Sequence, residues 1–231
     1  MSQQAPADCT LRENSAKVRR IMIVDDHPVV RDGLAMLISQ EPDLEVCAQA
    51  ESISETLKLL GSTRPDLIIV DVSLTDGSGL ELVKEINVRD ESARMLVSSM
   101  HDETLFAERA LRAGARGYIN KAEPTGTLLD AIRQVLDGRV YLSPEMTERI
   151  LTRAVGAQED WKRSPIDKLS DRELETFQLI GQGQTTRQIG QKLQVSPKTI
   201  ESYREHIKQK LNLQNANELT RYAVLWMLEN S

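Results

Sequence analysis

Residues 65–82 read PDLIIVDVSLTDGSGLEL and residues 21–34 read IMIVDDHPVVRDGL. Each carries a short apolar run, Leu67–Val70 and Ile21–Val24, that stops at aspartate: Asp71 in one, the pair Asp25-Asp26 in the other. Further runs stand at Leu44–Cys47, Arg94–Val97 and Tyr118-Ile119, so short β-rich segments recur up to about residue 140. All are too short for helices. The intervening stretches, such as VVRDGLAMLISQ and ETLFAERALRAG, place apolar residues at i, i+3, i+4 and i+7, the spacing of an amphipathic helix. Near-continuous apolar strands alternating with helices predict a parallel sheet covered on both faces. Right-handed crossovers then make an α/β doubly wound (βα)5 fold, flavodoxin-like, with strand order 2-1-3-4-5.

Ligands of such a sheet bind beyond the carboxyl ends of its strands. Asp25, Asp26 and Asp71 stand there together at the expected switch point, where like charges repel unless a hard, oxygen-seeking cation such as Mg²⁺ joins them. The fourth run ends in Ser98-Ser99 and the fifth in Asn120-Lys121, which brings a hydroxyl and an ammonium to the same edge. An aspartate at a strand end is, taken singly, an ordinary turn or cap residue. Acid, metal, hydroxyl and lysine on four strand ends describe a phosphoryl site. His101, two residues past Ser99, either influences hydrolysis of an acyl phosphate or is a solvated loop side chain.

From Leu169 the β runs cease, and four short helical patterns make a smaller all-α domain. Ser170 with Glu173, and Thr185 with Gln188, are capping boxes, and Ser196-Pro197 is an N-cap followed by proline. Helices at Thr185–Leu193 and Pro197–Leu211 form a helix-turn-helix. Ile200, Tyr203, Ile207 and Leu211 should face inward, leaving Lys198, Glu201, Ser202, Glu205, Lys208 and Gln209 outward toward a major groove. The chain holds 29 Lys+Arg against 35 Asp+Glu, net −6, so it is no general polyanion binder. Between residues 185 and 212, however, six basic residues (Arg187, Lys192, Lys198, Arg204, Lys208, Lys210) face two acidic ones, net +4. In the last helix Leu219, Tyr222, Ala223 and Trp226 form a stripe that serves either dimerisation or core packing.

The expected division is an N-terminal extension without fixed structure over 1–18, an α/β domain over 19–140, a linker with one helix over 141–166 and the helical domain over 167–231. The linker helix starts with Ser143 as cap and Pro144 in the first turn. At 40% hydrophobic and 28% charged the composition is globular. The longest apolar run, Ala223–Leu228, is far below the roughly 20 residues a membrane span needs. The first eighteen residues lack a secretory pattern, and two cysteines, Cys9 and Cys47, make neither a disulfide framework nor a metal site. A reduced, cytoplasmic setting is expected, with no membrane partner.

The quoted stretches together with RAGARGYINK at 112–121 resemble the receiver domain of a bacterial response regulator. LSDRELETFQLIGQGQTTRQIGQKLQVSPKTIESYREHIKQKL at 169–211 is similar to the LuxR-type helix-turn-helix. The pair in this order resembles the NarL/FixJ family over roughly residues 20–229. The resemblance implies a phosphoacceptor at Asp71; Mg²⁺ bound by Asp25, Asp26, Asp71 and the Ser73 carbonyl; a switch hydroxyl at Ser99; a phosphate-pairing Lys121; and a rotating aromatic at Tyr118. It implies DNA contacts from Arg187, Lys198, Thr199, Glu201, Ser202, Glu205, Lys208 and Lys210. The implied partners are a sensor histidine kinase, double-stranded operator DNA, a second copy when phosphorylated and RNA polymerase, with no enzymatic activity beyond self-phosphoryl transfer and autodephosphorylation. Thr75 stands where the family usually has proline, so a less rigid loop after Asp71 is expected. Two other readings remain open. A metal-dependent phosphatase would need a second acid beside Asp71, which Val72-Ser73 does not offer, and an adaptor would act by protein contacts without phosphorylation.

Overall fold

The structure, a computed structural model, describes residues 18–155 and 165–230. The expected N-terminal extension with Cys9, apart from residue 18, and the polar part of the linker lie outside the described residues. The α/β part runs β1 (Arg19–Val24), α1 (Pro28–Ser39), β2 (Leu44–Ala50), α2 (Ile53–Thr63), β3 (Leu67–Val70), β4 (Ser73–Leu74), β5 (Gly77–Ser78), α3 (Gly79–Arg89), β6 (Met95–Ser99), α4 (Glu103–Ala113), β7 (Gly117–Asn120) and α5 (Thr125–Leu136). Then come α6 (Pro144–Val155), a 3-10 turn (Pro165–Lys168), α7 (Asp171–Gly181), α8 (Thr186–Lys192), α9 (Pro197–Leu211) and α10 (Ala216–Asn230).

The five long strands form one parallel sheet in the order β2-β1-β3-β6-β7, the predicted doubly wound arrangement, while β4 and β5 make a small antiparallel hairpin. Strand alternation divides the core. Ile21, Ile23, Leu67, Ile69, Leu96 and Ile119 pack with Ile38 of α1 and Ile132 and Val135 of α5. Met22, Val24, Ile68, Val70, Met95 and Val97 face the other way, toward Leu82, Val83 and Ile86 of α3 and Phe106 and Ala110 of α4. This second core continues without a break through Met146, Ile166 and Leu169 into Leu174 and Phe177 of the helical part. Cys47 is half-buried against the core as a small hydrophobe, and its thiol donates to the Ile21 carbonyl.

The predicted caps form: Ser170 and Thr185 close capping boxes, Ser196 accepts from Thr199 N–H, and Ser143 accepts from Met146 N–H at 3.1 Å. Leu219 and Ala223 of α10 are buried, and Phe177 meets Tyr222 and Trp226 with ring centroids 5.9 and 6.2 Å apart. The apolar stripe of the last helix therefore packs on α7 rather than standing free for a second copy. The loop after Asp71 is also held, although it has Thr75 in place of proline. Asp76 accepts from the Ile53 and Ser54 N–H groups, and Arg172 donates to the carbonyls of Leu74 and Gly77.

Candidate functional site

β1 and β3 are neighbours, so the residues following them meet at the sheet edge. Asp71 N–H donates to the Val24 carbonyl, and Asp25 N–H to Ala50 on the far side of β1. Asp25 and Asp71 are buried at 2% and 4% exposure. Gly79, the first residue of α3, lies against the Asp71 backbone because it lacks a side chain: a Cβ there would sit 1.8 Å from the Asp71 carbonyl oxygen. From the end of β7, Lys121 places its ammonium 2.6 Å from Asp25 Oδ2 and 2.7 Å from Asp71 Oδ2.

Burial raises the Asp71 carboxyl to about 6; Lys121 works against this rise and Asp25 adds to it. Burial disfavours the charge on Lys121, but Asp71 and Asp25 beside it prevail and hold its pKa above the ordinary value. Asp25, Asp26, His27 and Asp71 each offer a ligand atom, all within 4.8 Å of one another. Asp26 Oδ1 is buried without a hydrogen bond, although His27 Nδ1 lies 2.6 Å away. Three carboxylates, one of them with an oxygen that lacks a hydrogen bond, fit a hard divalent cation, as expected from the sequence. The N–H of Ser73 hydrogen bonds to the Asp71 carboxylate.

Ser99 and Tyr118 are brought to the same edge, both fully buried. Ser99 Oγ accepts from His101 N–H at 3.2 Å, and the Tyr118 hydroxyl donates to the His101 carbonyl at 2.8 Å. Burial raises the Tyr118 pKa, so the hydroxyl keeps its proton.

His101 is not a solvated loop residue. It is 8% exposed and stacks on Phe106 at 4.7 Å. Burial lowers its pKa to about 4, with the Gln178 hydrogen bond opposing and the Lys192, Arg172 and Lys121 charges adding to the fall. The neutral ring faces Gln178 Oε1 at 2.8 Å through Nδ1, which must therefore carry the proton, and Ser73 Oγ at 2.9 Å through Nε2, which accepts. It links the loop after Asp71 to the helical part of the chain.

This second layer is not legible in the sequence. Arg172, Glu175 and Gln178 share a face of α7, a polar stripe that reads as solvated. In the structure Glu175 and Gln178 are buried, and Arg172 is 2.7 Å from Glu175 while reaching the hairpin carbonyls. Arg109 of α4 donates to the Ile166 and Leu169 carbonyls and, with Lys84 of α3, to Asp171. The helical unit thus docks on the face that carries Asp71 and His101. The i, i+3, i+6 spacing of Arg172, Glu175 and Gln178, all able to hydrogen bond, was the only signal.

On the helix-turn-helix, Ile200 and Ile207 are buried and Tyr203 and Leu211 half-buried, as their spacing predicts. Arg187, Lys198, Glu201, Ser202 and Glu205 are exposed, and Thr199 is half-buried in the cap. Glu201 accepts from Thr186 Oγ1, Lys208 pairs with Glu205 at 2.8 Å, and Lys210 reaches back to Glu173 at 2.6 Å. No helix among the described residues is long and apolar enough to cross a membrane.

Residues 21–133 match the response regulator receiver domain, and residues 167–223 match the family of bacterial regulatory proteins called luxR. The chain is 37% identical over 209 residues to the oxygen regulatory protein NreC of Staphylococcus carnosus, covering 89% of this chain and 96% of that one. Among solved structures it resembles a LuxR-family two-component response regulator from Aurantimonas, with TM-score 0.56 and 37% identity over 60% of this chain and 99% of the other. It also resembles RcsB from Salmonella enterica serovar Typhimurium bound to the promoter rprA in the presence of the phosphomimetic BeF3−, with TM-score 0.58 and 25% identity over 89% of this chain and 98% of the other. Sequence, sheet order and helix-turn-helix agree with these matches, and the chain belongs to the NarL/FixJ family of two-component response regulators, a receiver joined to a LuxR-type DNA-binding domain.

Proposed function

We propose that a sensor histidine kinase phosphorylates Asp71, and that this controls dimerisation and sequence-specific DNA binding in transcription regulation. The observation that carries the reading is the convergence of Lys121 on Asp25 and Asp71 at 2.6 and 2.7 Å, next to the orphaned oxygen of Asp26. An Asp71 oxygen attacks the phosphorus of a phosphohistidine or small acyl phosphate. The new O–P bond forms as the bond to the leaving group breaks, and the leaving group keeps the electron pair. Lys121 neutralises phosphoryl oxygens. Mg²⁺, held by Asp25, Asp26, Asp71 and the Ser73 carbonyl, supplies further positive charge to them when bound. The acyl phosphate offers acceptor oxygens to Ser99, and Tyr118 follows as the segment bearing His101 moves, so two arrangements of one surface trade populations.

The domains then act as receiver over 19–140, linker over 141–166 and reader over 167–231. Arg187, Lys198, Thr199, Ser202, Lys208 and Lys210 contact DNA, while Glu201 and Glu205 select bases. Their present bonds to Thr186 and Lys208 must be exchanged for that. The DNA-bound, phosphomimetic-treated RcsB supports the coupling of phosphorylation to DNA. A two-fold dimer on half-sites about one helical turn apart follows from the short recognition helix. RNA polymerase is the further partner at promoters, the setting is cytoplasmic, and the only catalysis is the receiver's own phosphoryl transfer and loss.

Incubation with Mg²⁺ and acetyl phosphate tests the reading. A mass gain of one phosphoryl group, absent in Asp71→Asn, is expected. Labelling of that variant at the parent rate refutes the assignment, and sustained donor turnover favours the phosphatase reading.

A further inference from the structure

The turn between α8 and α9 reaches across to the acidic pocket. Gln194 has a left-handed backbone, φ 55°, and its amide Nε2 donates to Asp26 Oδ2 at 2.8 Å. Asp26 is one of the three carboxylates, its side chain is 4% exposed, and its other oxygen lies against His27. A left-handed conformation is strained for a residue with a side chain, and Gln194 adopts it in the turn from which its side chain caps this carboxylate. The rest of the docked face holds the turn in place: Gln178 on His101, Arg172 on the hairpin that follows Asp71, and Arg109 on Asp171 and the 3-10 turn. Glu175 lies between them, fully buried, with Oε1 unpartnered. While Oδ2 accepts from the Gln194 amide, the Asp26 carboxylate is held in that orientation and part of its charge is engaged, so that only Oδ1 is left to a cation.

We propose that Gln194 is a plug on the cation pocket, so that a divalent cation and the docked helix-turn-helix compete for Asp26. Coupling between two sites is reciprocal. The cation therefore loosens the docked helical domain before any phosphoryl group arrives, and docking weakens cation binding by the same factor. This rests on reading Asp25, Asp26 and Asp71 as a cation site. The opposite coupling is chemically possible, since the Gln194 carbonyl oxygen, turned toward the pocket, would be a suitable ligand for a hard cation. The sign of the coupling decides between plug and ligand.

The experiment titrates the full chain with Mn²⁺, following free Mn²⁺ by electron paramagnetic resonance, for the parent, Gln194→Ala, Gln194→Gly and Arg109→Ala. Glycine accepts the left-handed backbone without strain and guards against a folding defect in the alanine variant. Both Gln194 variants should bind Mn²⁺ several-fold tighter, as expected for losing an exposed hydrogen bond to a charged acceptor. Arg109→Ala, which loosens docking without touching the pocket, should shift affinity in the same direction. Small-angle scattering of the parent should show a larger radius of gyration at saturating Mg²⁺ than without it. Equal or weaker Mn²⁺ binding by the Gln194 variants overturns the competition while leaving the cation site standing. No Mn²⁺ binding by any of the proteins overturns the cation site and the competition with it.

Discussion

Glu175→Gln should stabilise this protein, and by an amount set by pH. Glu175 has no exposed surface, and burial raises its carboxyl from an ordinary 4.5 to about 7. Arg172, 2.7 Å away, opposes that rise, while the charges of Asp71 and Asp171 add to it. A native pKa above the unfolded one means that the folded chain holds its proton more tightly. The resulting stability is fully present below pH 4.5 and is lost as pH rises through about 7. At 1.36 kcal/mol per pH unit the loss is about 3 kcal/mol. Glutamine is neutral throughout, and its carbonyl can still accept from Arg172. The variant's advantage over the parent should therefore grow from pH 4.5 to 7 and level off above, reaching about 1 M in the urea midpoint. Urea unfolding of both proteins from pH 4.5 to 8 reads this directly. A difference that stays constant across that range, or that turns in favour of the parent as pH rises, refutes the burial argument.

Gly79→Ala forces a Cβ onto the Asp71 carbonyl at 1.8 Å, so it should destabilise by about 1–3 kcal/mol and slow labelling by acetyl phosphate; a melting temperature equal to the parent's counts against the packing described. Tyr118→Phe removes the donor to the His101 carbonyl and should cost about 1 kcal/mol in denaturant unfolding; no loss would mean that this bond contributes nothing. Lys198→Ala should weaken binding to all DNA sequences alike and lower the salt slope by about one, and an unchanged slope would remove Lys198 from the phosphate contacts. Glu205→Ala should relax preference at one base pair by roughly 1–3 kcal/mol; an unaltered preferred site in selection from randomised DNA would leave Glu205 as only the partner of Lys208.

The sheet order and the acidic edge were legible because both depend on local pattern. Ile21–Val24 and Leu67–Val70 are apolar on both faces, end at aspartate and alternate with amphipathic helices, so a parallel sheet with Asp25, Asp26 and Asp71 at its carboxyl edge follows from that pattern and the right-handed crossover. The caps at Ser170, Thr185 and Ser196 were equally readable, since each lies within three residues of the N–H it satisfies. His101 was not readable. Its burial comes from the helix that carries Gln178, 77 residues away, and from Phe106 beneath it, and that burial keeps the ring neutral.

Hydrophobic period and capping chemistry act over a few residues, so the long strands, the main helices and the residues at the sheet edge could be read from the chain, whereas the short β4–β5 hairpin could not. Where the helical domain docks and what it covers depends on contacts between distant segments. A polar face on α7 has the same local pattern whether it meets water or another polar surface. Only the arrangement in which Arg172 finds two hairpin carbonyls, Gln178 finds His101 and Gln194 finds Asp26 makes its burial affordable, because each buried polar group then has a partner supplied by a distant part of the chain.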